Sequence, residues 1–416
     1  MVRGAHKLRD HFLLPELLYI CYHSAMETTD KLDILARDAQ YDLSCACSTK
    51  RPEEHRKRGD DGSWLYPVTV ASGGSGIMLK TLMSNACTND CKYCPLRENN
   101  DTRRTTVQPE ELARFFMEFQ SKRHLIGLFL SSGVIGSADA TMDRLLGTAE
   151  ILRKQYRYRG YIHLKIIPGA SHAAMDKALS LASAVSLNIE TPGASHFAKL
   201  SEAKVYEQDI IGGLKYLSEQ TAKGSPYARV TKTSQFIVGA SDESDREILN
   251  YTWGMYRRLG YDRLYYSAYQ AGLGDPSIPG EIRRQSMPRP VVENLLIPEL
   301  AAPVGDPTIL MREHRLYQAD FLYRQYGFSY DDLIFDTAGN LELGADPKMV
   351  WALRHPERYP VSVSRATKEE LLKVPGIGPA MANRIITHRR SSPIGSLENL
   401  RLPNYLLEKA KPFLIR

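Results

Sequence analysis

Between about Trp64 and Gln270, short apolar runs alternate with longer amphipathic stretches, and this alternation restricts the fold more than any other feature of the chain. Candidate strands fall at Gly76–Met83, Ile126–Leu130, Tyr161–Ile167, Ala184–Ile189, Gln235–Val238 and Arg263–Ser267. Candidate helices lie between them at Pro109–Phe119, Thr141–Gln155, Ser171–Ala182, Val205–Thr221 and Ser244–Leu259. Strand, helix and strand in succession make a βαβ unit, which buries a parallel sheet beneath its crossover helices. The pattern predicts an α/β fold built as a partial or full barrel. Reactive groups in such barrels sit at the C-terminal ends of the strands.

At 416 residues the chain is longer than one core usually organises, and 43% apolar with 25% charged residues is an ordinary globular composition. We expect an N-terminal extension over 1–29, a segment packing on the barrel over 30–75, the barrel domain over 76–308, a helical accessory segment over 309–355 and a small terminal domain over 356–416. Residues 1–27 have little pattern, and Met26 reads as an alternative start. The charged, turn-rich stretch Lys50–Ser63 reads as an exposed loop. Residues 271–308 are rich in proline, carry a basic knot at Arg283, Arg284 and Arg289, and read as a loop or crossing segment. A helix is expected over Ile309–Tyr326, closed by Gly327. No uncharged apolar run reaches the roughly 18 residues of a membrane span. Phe12–Tyr22 contains Pro15 and Glu16 and lacks a small-residue cleavage site, so the expected location is cytoplasmic.

Charge is unevenly placed. From Trp351 to Arg416 there are 12 Lys/Arg against 5 Asp/Glu, so this segment carries +7 where the whole chain carries +6. A small basic module is an electrostatic candidate for binding a polyanion, and charge alone is equally compatible with a solvated surface that has no partner.

The six cysteines stand at 21, 45, 47, 87, 91 and 94, all in the first quarter of the chain. Clustered thiols in a reducing compartment point to metal or redox chemistry, not to a disulfide framework. Cys87, Cys91 and Cys94 lie in Asn85-Ala86-Cys87-Thr88-Asn89-Asp90-Cys91-Lys92-Tyr93-Cys94-Pro95, directly after the first candidate strand. Thiolates so spaced let one loop wrap a corner of an iron–sulfur cluster. Zinc is the competing reading. It ordinarily takes four protein ligands, the fourth of which Cys45 or Cys47 would have to supply.

The CxxxCxxC spacing, with Tyr93 just before the last cysteine, resembles the signature of the radical S-adenosylmethionine (SAM) superfamily. The resemblance implies a partial (β/α)6 TIM-like barrel in which the three cysteines hold three irons of a 4Fe–4S cluster, the fourth iron taking the amino and carboxylate groups of SAM. It also implies one-electron cleavage of SAM to methionine and a 5′-deoxyadenosyl radical that abstracts hydrogen from carbon, with a flavodoxin or ferredoxin as electron donor. Ser131, Ser132 and Gly133 stand where many members carry Gly-Gly-Glu against the SAM amino group. The glutamate is missing here, so hydroxyl or backbone groups would make that contact. Asn188 and Glu190 resemble the segment that meets the ribose or carboxylate, and Gln235, Ile237 and Gly239 the segment near the adenine. Each of the three stretches, taken alone, is also explained by strand-end turn chemistry. Tyr265, Tyr266 and Tyr269 are the candidate catalytic residues, a stripe that packing would equally explain.

In the terminal segment, Leu371, Leu372, Ile385 and Ile386 give two short helices apolar faces, and Gly376 and Gly378 permit a tight turn between them. Backbone N–H groups at such a turn and at the following helix start are ready for a phosphate. Thr367 and Glu370 form a capping box. The run resembles the helix-hairpin-helix motif of DNA repair and DNA uptake proteins. The residues this assigns to nucleic-acid backbone are Lys373, Pro375, Gly376, Ile377, Gly378, Arg384, Arg389 and Arg390, with His388 nearby. A protein-contacting or merely packed helical pair is the alternative. Asn399–Leu407 lacks a Gly-x-Gly turn and reads as structural.

The order of parts over about 30–416 resembles a group of bacterial and archaeal radical SAM proteins assigned to DNA modification or repair, on the cysteine loop, the Ser-Ser-Gly strand end, the Arg312-Glu313-His314-Arg315 helix and the hairpin. That resemblance implies a DNA lesion pathway shared with a uracil-DNA-glycosylase-like protein partner and leaves the substrate undefined; with the hairpin, the main expectation is an enzyme acting on DNA. No cysteine follows Cys94, so a downstream cysteine hydrogen donor is not expected, and with only Cys21, Cys45 and Cys47 to spare neither is a second cluster. An RNA-modifying enzyme and a non-catalytic DNA-binding redox sensor are the alternatives.

Overall fold

A computed structural model describes residues 26–39, 65–69, 75–286, 307–392 and 403–415. Its centre is a seven-stranded sheet in the order β1 (Leu65–Thr69), β2 (Ser75–Leu82), β3 (Gly127–Ser131), β4 (Tyr161–Lys165), β5 (Ala184–Ser186), β6 (Thr231–Val238) and β7 (Arg263–Ala268). β1 runs antiparallel to β2, and every later neighbour is parallel. The six parallel strands β2 to β7 form the partial barrel that the alternation predicts. β1 is an addition: Pro67 breaks its apolar pattern, and proline is tolerated on an edge strand.

The chain enters through α1 (Thr28–Asp38), and the crossover helices are α2 (Pro109–Arg123), α3 (Ala138–Glu150), α4 (His172–Leu181), the short α5 (Ala194–Phe197), α6 (Gly213–Gln220) and α7 (Asp245–Arg257). Their starts are chemically marked. Ser137, Ser171 and Ser244 accept hydrogen bonds from backbone N–H groups three residues on, and Gln108 and Ser244 complete capping boxes with Glu111 and Glu247. Two of the predicted helices are composite. α3 runs on into a π-helical turn at Ile151–Gln155, and α6 is preceded by another at Tyr206–Gly212.

A partial barrel leaves an open edge, here β7, and exposed edge N–H groups invite mispairing. The outward N–H of Leu264 donates to Tyr256 Oη at 3.1 Å, that of Tyr266 to Tyr317 Oη at 3.1 Å and that of Ala268 to Glu313 Oε2 at 2.6 Å. Tyr317 and Glu313 belong to α9 (Pro307–Gln325), the helix expected over Ile309–Tyr326, and Gly327 follows it at φ 70°. Arg312 of the same helix ion-pairs with the buried Asp245 at 2.6 Å, and Arg315 donates to Leu343 O at 2.6 Å. The Arg-Glu-His-Arg run therefore locks α9 across the barrel's open side. The proline-rich connection before it is not wholly irregular, because α8 (Pro279–Gln285) forms inside it. Arg289 lies outside the described residues.

Beyond α10 (Pro347–Arg354), α11 (Lys368–Lys373), α12 (Pro379–Ser391) and α13 (Asn404–Ala410) gather a separate small core that includes Val363, Leu371, Val374, Ile377 and Ile385. This otherwise helical module closes with a two-residue parallel ladder between β8 (Val361–Ser362) and β9 (Leu414–Ile415). Among the described residues no helix is long and apolar enough to cross a membrane.

Candidate functional site

At the C-terminal ends of β2 to β6 the structure holds a cavity of about 170 Å³, whose wall includes Cys87, Cys91 and Cys94. From the predicted set it also brings together Tyr93, Ser131, Ser132, Gly133, Asn188, Glu190, Gln235 and Ile237. Lys204, Lys165 and Asp38 complete its charged lining; sequence reasoning did not single them out.

The cysteine loop has no regular structure and is held by its neighbours. Arg104 donates to four of its carbonyls, those of Asn85, Leu96, Arg97 and Asn100, at 2.5 to 2.9 Å. Three strand-end loops grip it from outside. Thr88 N donates to Val134 O at 2.9 Å after β3, Lys92 N to Leu200 O at 2.8 Å after β5, and Asp275 N to Lys92 O at 2.7 Å after β7. Arg97 bridges Cys94 O and Leu273 O at 3.1 and 3.0 Å.

Each sulfur already accepts hydrogen bonds. Cys87 Sγ takes the N–H groups of Asn89 and Val134 at 3.5 and 3.4 Å, Cys94 Sγ that of Leu96 at 3.4 Å, and Cys91 Sγ the Lys204 ammonium at 3.0 Å. Donors aimed at sulfur are what thiolates bound to metal require of their surroundings. Burial pushes the Cys94 thiol up to about 12, and its sulfur neighbour Cys91 adds to the rise. Burial also raises Cys91, and the Lys204 ammonium draws it partway back. Metal binding must therefore displace protons from these thiols.

Among the described residues, no three His, Cys, Asp or Glu side chains converge as they would on a single metal ion. Cys45 and Cys47, the candidate fourth ligands of a tetrahedral zinc, lie outside the described residues, as does Cys21. A cubane asks for something different, since each thiolate reaches its own iron around one shared space. Cys87, Cys91 and Cys94 line one cavity together.

The opposite wall is polar. Glu190 sits at φ 64°, an uncommon conformation for a residue with a side chain, between the bonds Glu190 N to Gln235 O at 3.0 Å and Ile237 N to Glu190 O at 2.9 Å. The Tyr93 hydroxyl is hydrogen-bonded to the Glu190 carboxylate, and burial first, then that charge, raises the phenol well above its ordinary range. Asn188, another lining residue, has its Oδ1 buried without a hydrogen-bond partner among the described residues.

The remaining predicted residues are placed elsewhere. Gly239 builds the turn after β6 at φ 85°, its N–H donating to Glu243 Oε1 at 2.6 Å. None of the three tyrosines lines the cavity. Tyr266 is fully buried on the convex side, 3.0 Å from Thr252 Oγ1 and stacked against Phe236. Tyr269 donates to Glu281 Oε1 at 2.5 Å, and Tyr265 lies under the Arg263 guanidinium at 5.7 Å.

In the terminal module α11 and α12 flank a turn whose Gly376 takes φ 85°. A methyl there would lie 2.6 Å from Leu406 O of α13, so both conformation and space require glycine. Gly378 caps α12 and Pro379 opens it, while Pro375 and Ile377 are buried. Arg384, His388 and Arg390 are exposed on α12. Lys373 and Arg389 turn inward instead. Lys373 Nζ pairs with Asp332 at 3.1 Å and lies 4.0 Å over Phe328 and 4.4 Å over Trp351, and Arg389 donates to Ala366 O at 2.7 Å and Val363 O at 3.3 Å. Arg389 thus braces the module from within, while Lys373 ties it to the neighbouring segment that carries Phe328, Asp332 and Trp351.

A helix-hairpin-helix motif model matches residues 361–388. No curated protein matches the sequence at a significant level. Similar solved structures include methylornithine synthase at 14% identity and TM-score 0.39, covering 49% of this chain and 56% of that one. The FeFe-hydrogenase maturase HydG from Carboxydothermus hydrogenoformans gives 14% identity and TM-score 0.40, with 48% and 46% covered. The radical S-adenosylmethionine methyltransferase TsrM from Kitasatospora setae gives 12% identity and TM-score 0.38, with 50% and 38% covered. The chain thus spans between 38% and 56% of the length of these proteins.

Proposed function

We propose that this chain is a radical SAM enzyme that holds a single 4Fe–4S cluster on Cys87, Cys91 and Cys94 and acts on DNA in modification or repair. The observation that carries the reading is the gathering of three sulfur atoms, each supplied with a hydrogen-bond donor, around one cavity at the mouth of a six-stranded parallel half-barrel. Bound there, the cluster and SAM would supply one-electron chemistry and hydrogen abstraction from carbon.

The chain's own residues do the positioning. Arg104, Arg97 and the three strand-end loops keep the cysteines in register before anything binds. Ser131 to Gly133 bring hydroxyl and backbone groups to the place where an amino group would need acceptors. Asn188 and Glu190 offer acceptors to a ribose, and Gln235 with Ile237 makes a half-apolar wall suited to a purine. Arg384 and Arg390, with the N–H groups at the start of α12, offer salt-dependent, sequence-independent contacts to a phosphate backbone. A cytoplasmic setting, with a flavodoxin or ferredoxin as electron donor and a glycosylase-like partner, is consistent with this reading.

Anaerobic reconstitution with iron and sulfide, reduction by dithionite and chromatography of SAM products tests it. 5′-Deoxyadenosine is expected, in larger amount when the correct DNA is present. An intact cluster that yields none under any condition refutes the enzymatic reading. Stimulation by RNA and not DNA would move the substrate class.

A further inference from the structure

Lys204 follows α5 and precedes the π-helical turn at Tyr206–Gly212, in a loop with no recognisable motif, yet its Nζ stands 3.0 Å from Cys91 Sγ. The backbone on each side of it is fixed by a carboxylate. Asp90, inside the cysteine loop itself, accepts from Ser201 Oγ at 2.6 Å, Glu202 N at 2.6 Å and Ala203 N at 3.2 Å. Asp209 accepts from Val205 N at 2.7 Å. The residue between Cys87 and Cys91 thus ties down the three residues that lead to Lys204, so the cysteine loop positions its own cation. A long side chain loses considerable rotamer freedom when its end is held in one place. Here two anchors direct it at a sulfur, with Glu190 on the cavity wall as the nearby countercharge.

Resting on the reading that the three cysteines hold a 4Fe–4S cluster, we propose that Lys204 sets the cluster's reduction potential by hydrogen-bonding the Cys91 thiolate, making uptake of one electron easier. An iron-bound thiolate keeps lone pairs that can accept this bond. Reduction adds one negative charge to the cluster and its sulfurs, taken from an external one-electron donor, with no bond broken and no proton moved. A fixed cation at hydrogen-bond distance stabilises the reduced form more than the oxidised one, because the cavity screens it less than water would. Lys204 acts through Cys91 and is a positioning residue.

The full chain is reconstituted anaerobically and titrated with dithionite and mediators in the absence of SAM, the reduced cluster being counted by electron paramagnetic resonance. Lys204→Met is expected to lower the reduced-to-oxidised ratio at a fixed potential at least tenfold, a midpoint shift of about 59 mV to the negative side for one electron. Lys204→Arg should stay near wild type, and Asp90→Ala should shift in the same direction as Lys204→Met by less. An unshifted midpoint in Lys204→Met overturns the proposal. So does a shift seen only once SAM is added, which would make Lys204 a ligand of SAM. Where Lys204→Met loads iron poorly, Lys204→Gln carries the comparison, and an unshifted midpoint there is equally fatal. Failure of the wild-type chain to form any reducible cluster refutes the cluster reading itself, an outcome distinct from an unshifted variant.

Discussion

Gly133 lies two residues past the end of β3, against the cysteine loop, and replacing it with alanine is a direct test of how that loop is held. Its N–H donates to Ser84 O at 2.7 Å, so the strand end cannot simply swing away. A methyl built at Gly133 would lie 2.4 Å from Ala86 O and 3.1 Å from Cys87 Cβ. Carbon and carbonyl oxygen rest at about 3.3–3.6 Å, so the segment at Ala86 must retreat by about 1 Å. Arg104 holds Asn85 O at 2.5 Å on one side and Val134 O holds Thr88 N at 2.9 Å on the other, which leaves little room for that retreat. Overpacking of this kind costs about 1–3 kcal/mol. At about 2–4 °C per kcal/mol for a domain of this size, the expected fall in Tm is about 2–12 °C. Circular dichroism should stay native while iron content after anaerobic reconstitution falls well below wild type, because Cys87 moves with Ala86. A Gly133→Ala protein with wild-type Tm and full iron content would refute the claim that this contact seats the loop.

Lys373→Met should lower stability by about 1–2 kcal/mol in urea unfolding, through loss of the Asp332 pair and of the contacts with Phe328 and Trp351, and should leave the salt dependence of nucleic-acid binding unchanged. Arg384→Ala and Arg390→Ala should each leave stability unchanged and reduce the slope of log affinity against log salt by about 1 in a titration with duplex DNA. Asp242 is held down at about 2, first by Lys199 against the pull of burial, with Ser241 and His196 adding to the effect. Its folded value lies below its ordinary 3.8, so its contribution is complete above that value and is lost as pH falls through about 2. Asp242→Asn should therefore flatten the acid side of the stability curve across that window, measured by denaturant midpoints, and less so at high salt.

The six parallel strands were legible because buried strands between capped helices leave a strong apolar rhythm, and the three cysteines because their spacing is short and local. β1 and α8 were hidden by Pro67 and by a proline-rich neighbourhood, where local composition points the other way. Lys204 carried no local signal at all: its importance is a distance to a sulfur 113 positions earlier in the chain. The tyrosine stripe did carry one. Side chains alternate along a strand, so Tyr266 on β7 must face away from Tyr265, and the three could never have shared one pocket. Lys373 and Arg389 show the limit of counting charge, because the +7 segment says nothing about which cations are turned inward.

The inward cations bear on how the two cores act together. Lys373 ties α11 to Phe328, Asp332 and Trp351, and Tyr359 Oη donates to Lys373 O at 2.8 Å. α10 is capped by Asp346, which Lys409 of α13 also contacts, while Leu343 O just before it accepts from Arg315 of α9. Asp245, the first residue of α7 and close after β6, accepts from Leu341 N at 2.9 Å and from Arg312 at 2.6 Å. These ion pairs and hydrogen bonds, joined by the covalent chain over 341–346, tie the hairpin module to α9 and to the start of α7 after β6. A phosphate backbone gripped by the hairpin would be held on a module tied to the barrel, not carried on a loose tether. A base in a duplex would still have to leave the stack to enter the cavity, by extrusion of its nucleotide or by arriving single-stranded. On this geometry a mismatched or single-stranded oligonucleotide should stimulate SAM cleavage more than an intact duplex of equal affinity, and equal stimulation by both would remove base extrusion from the reading.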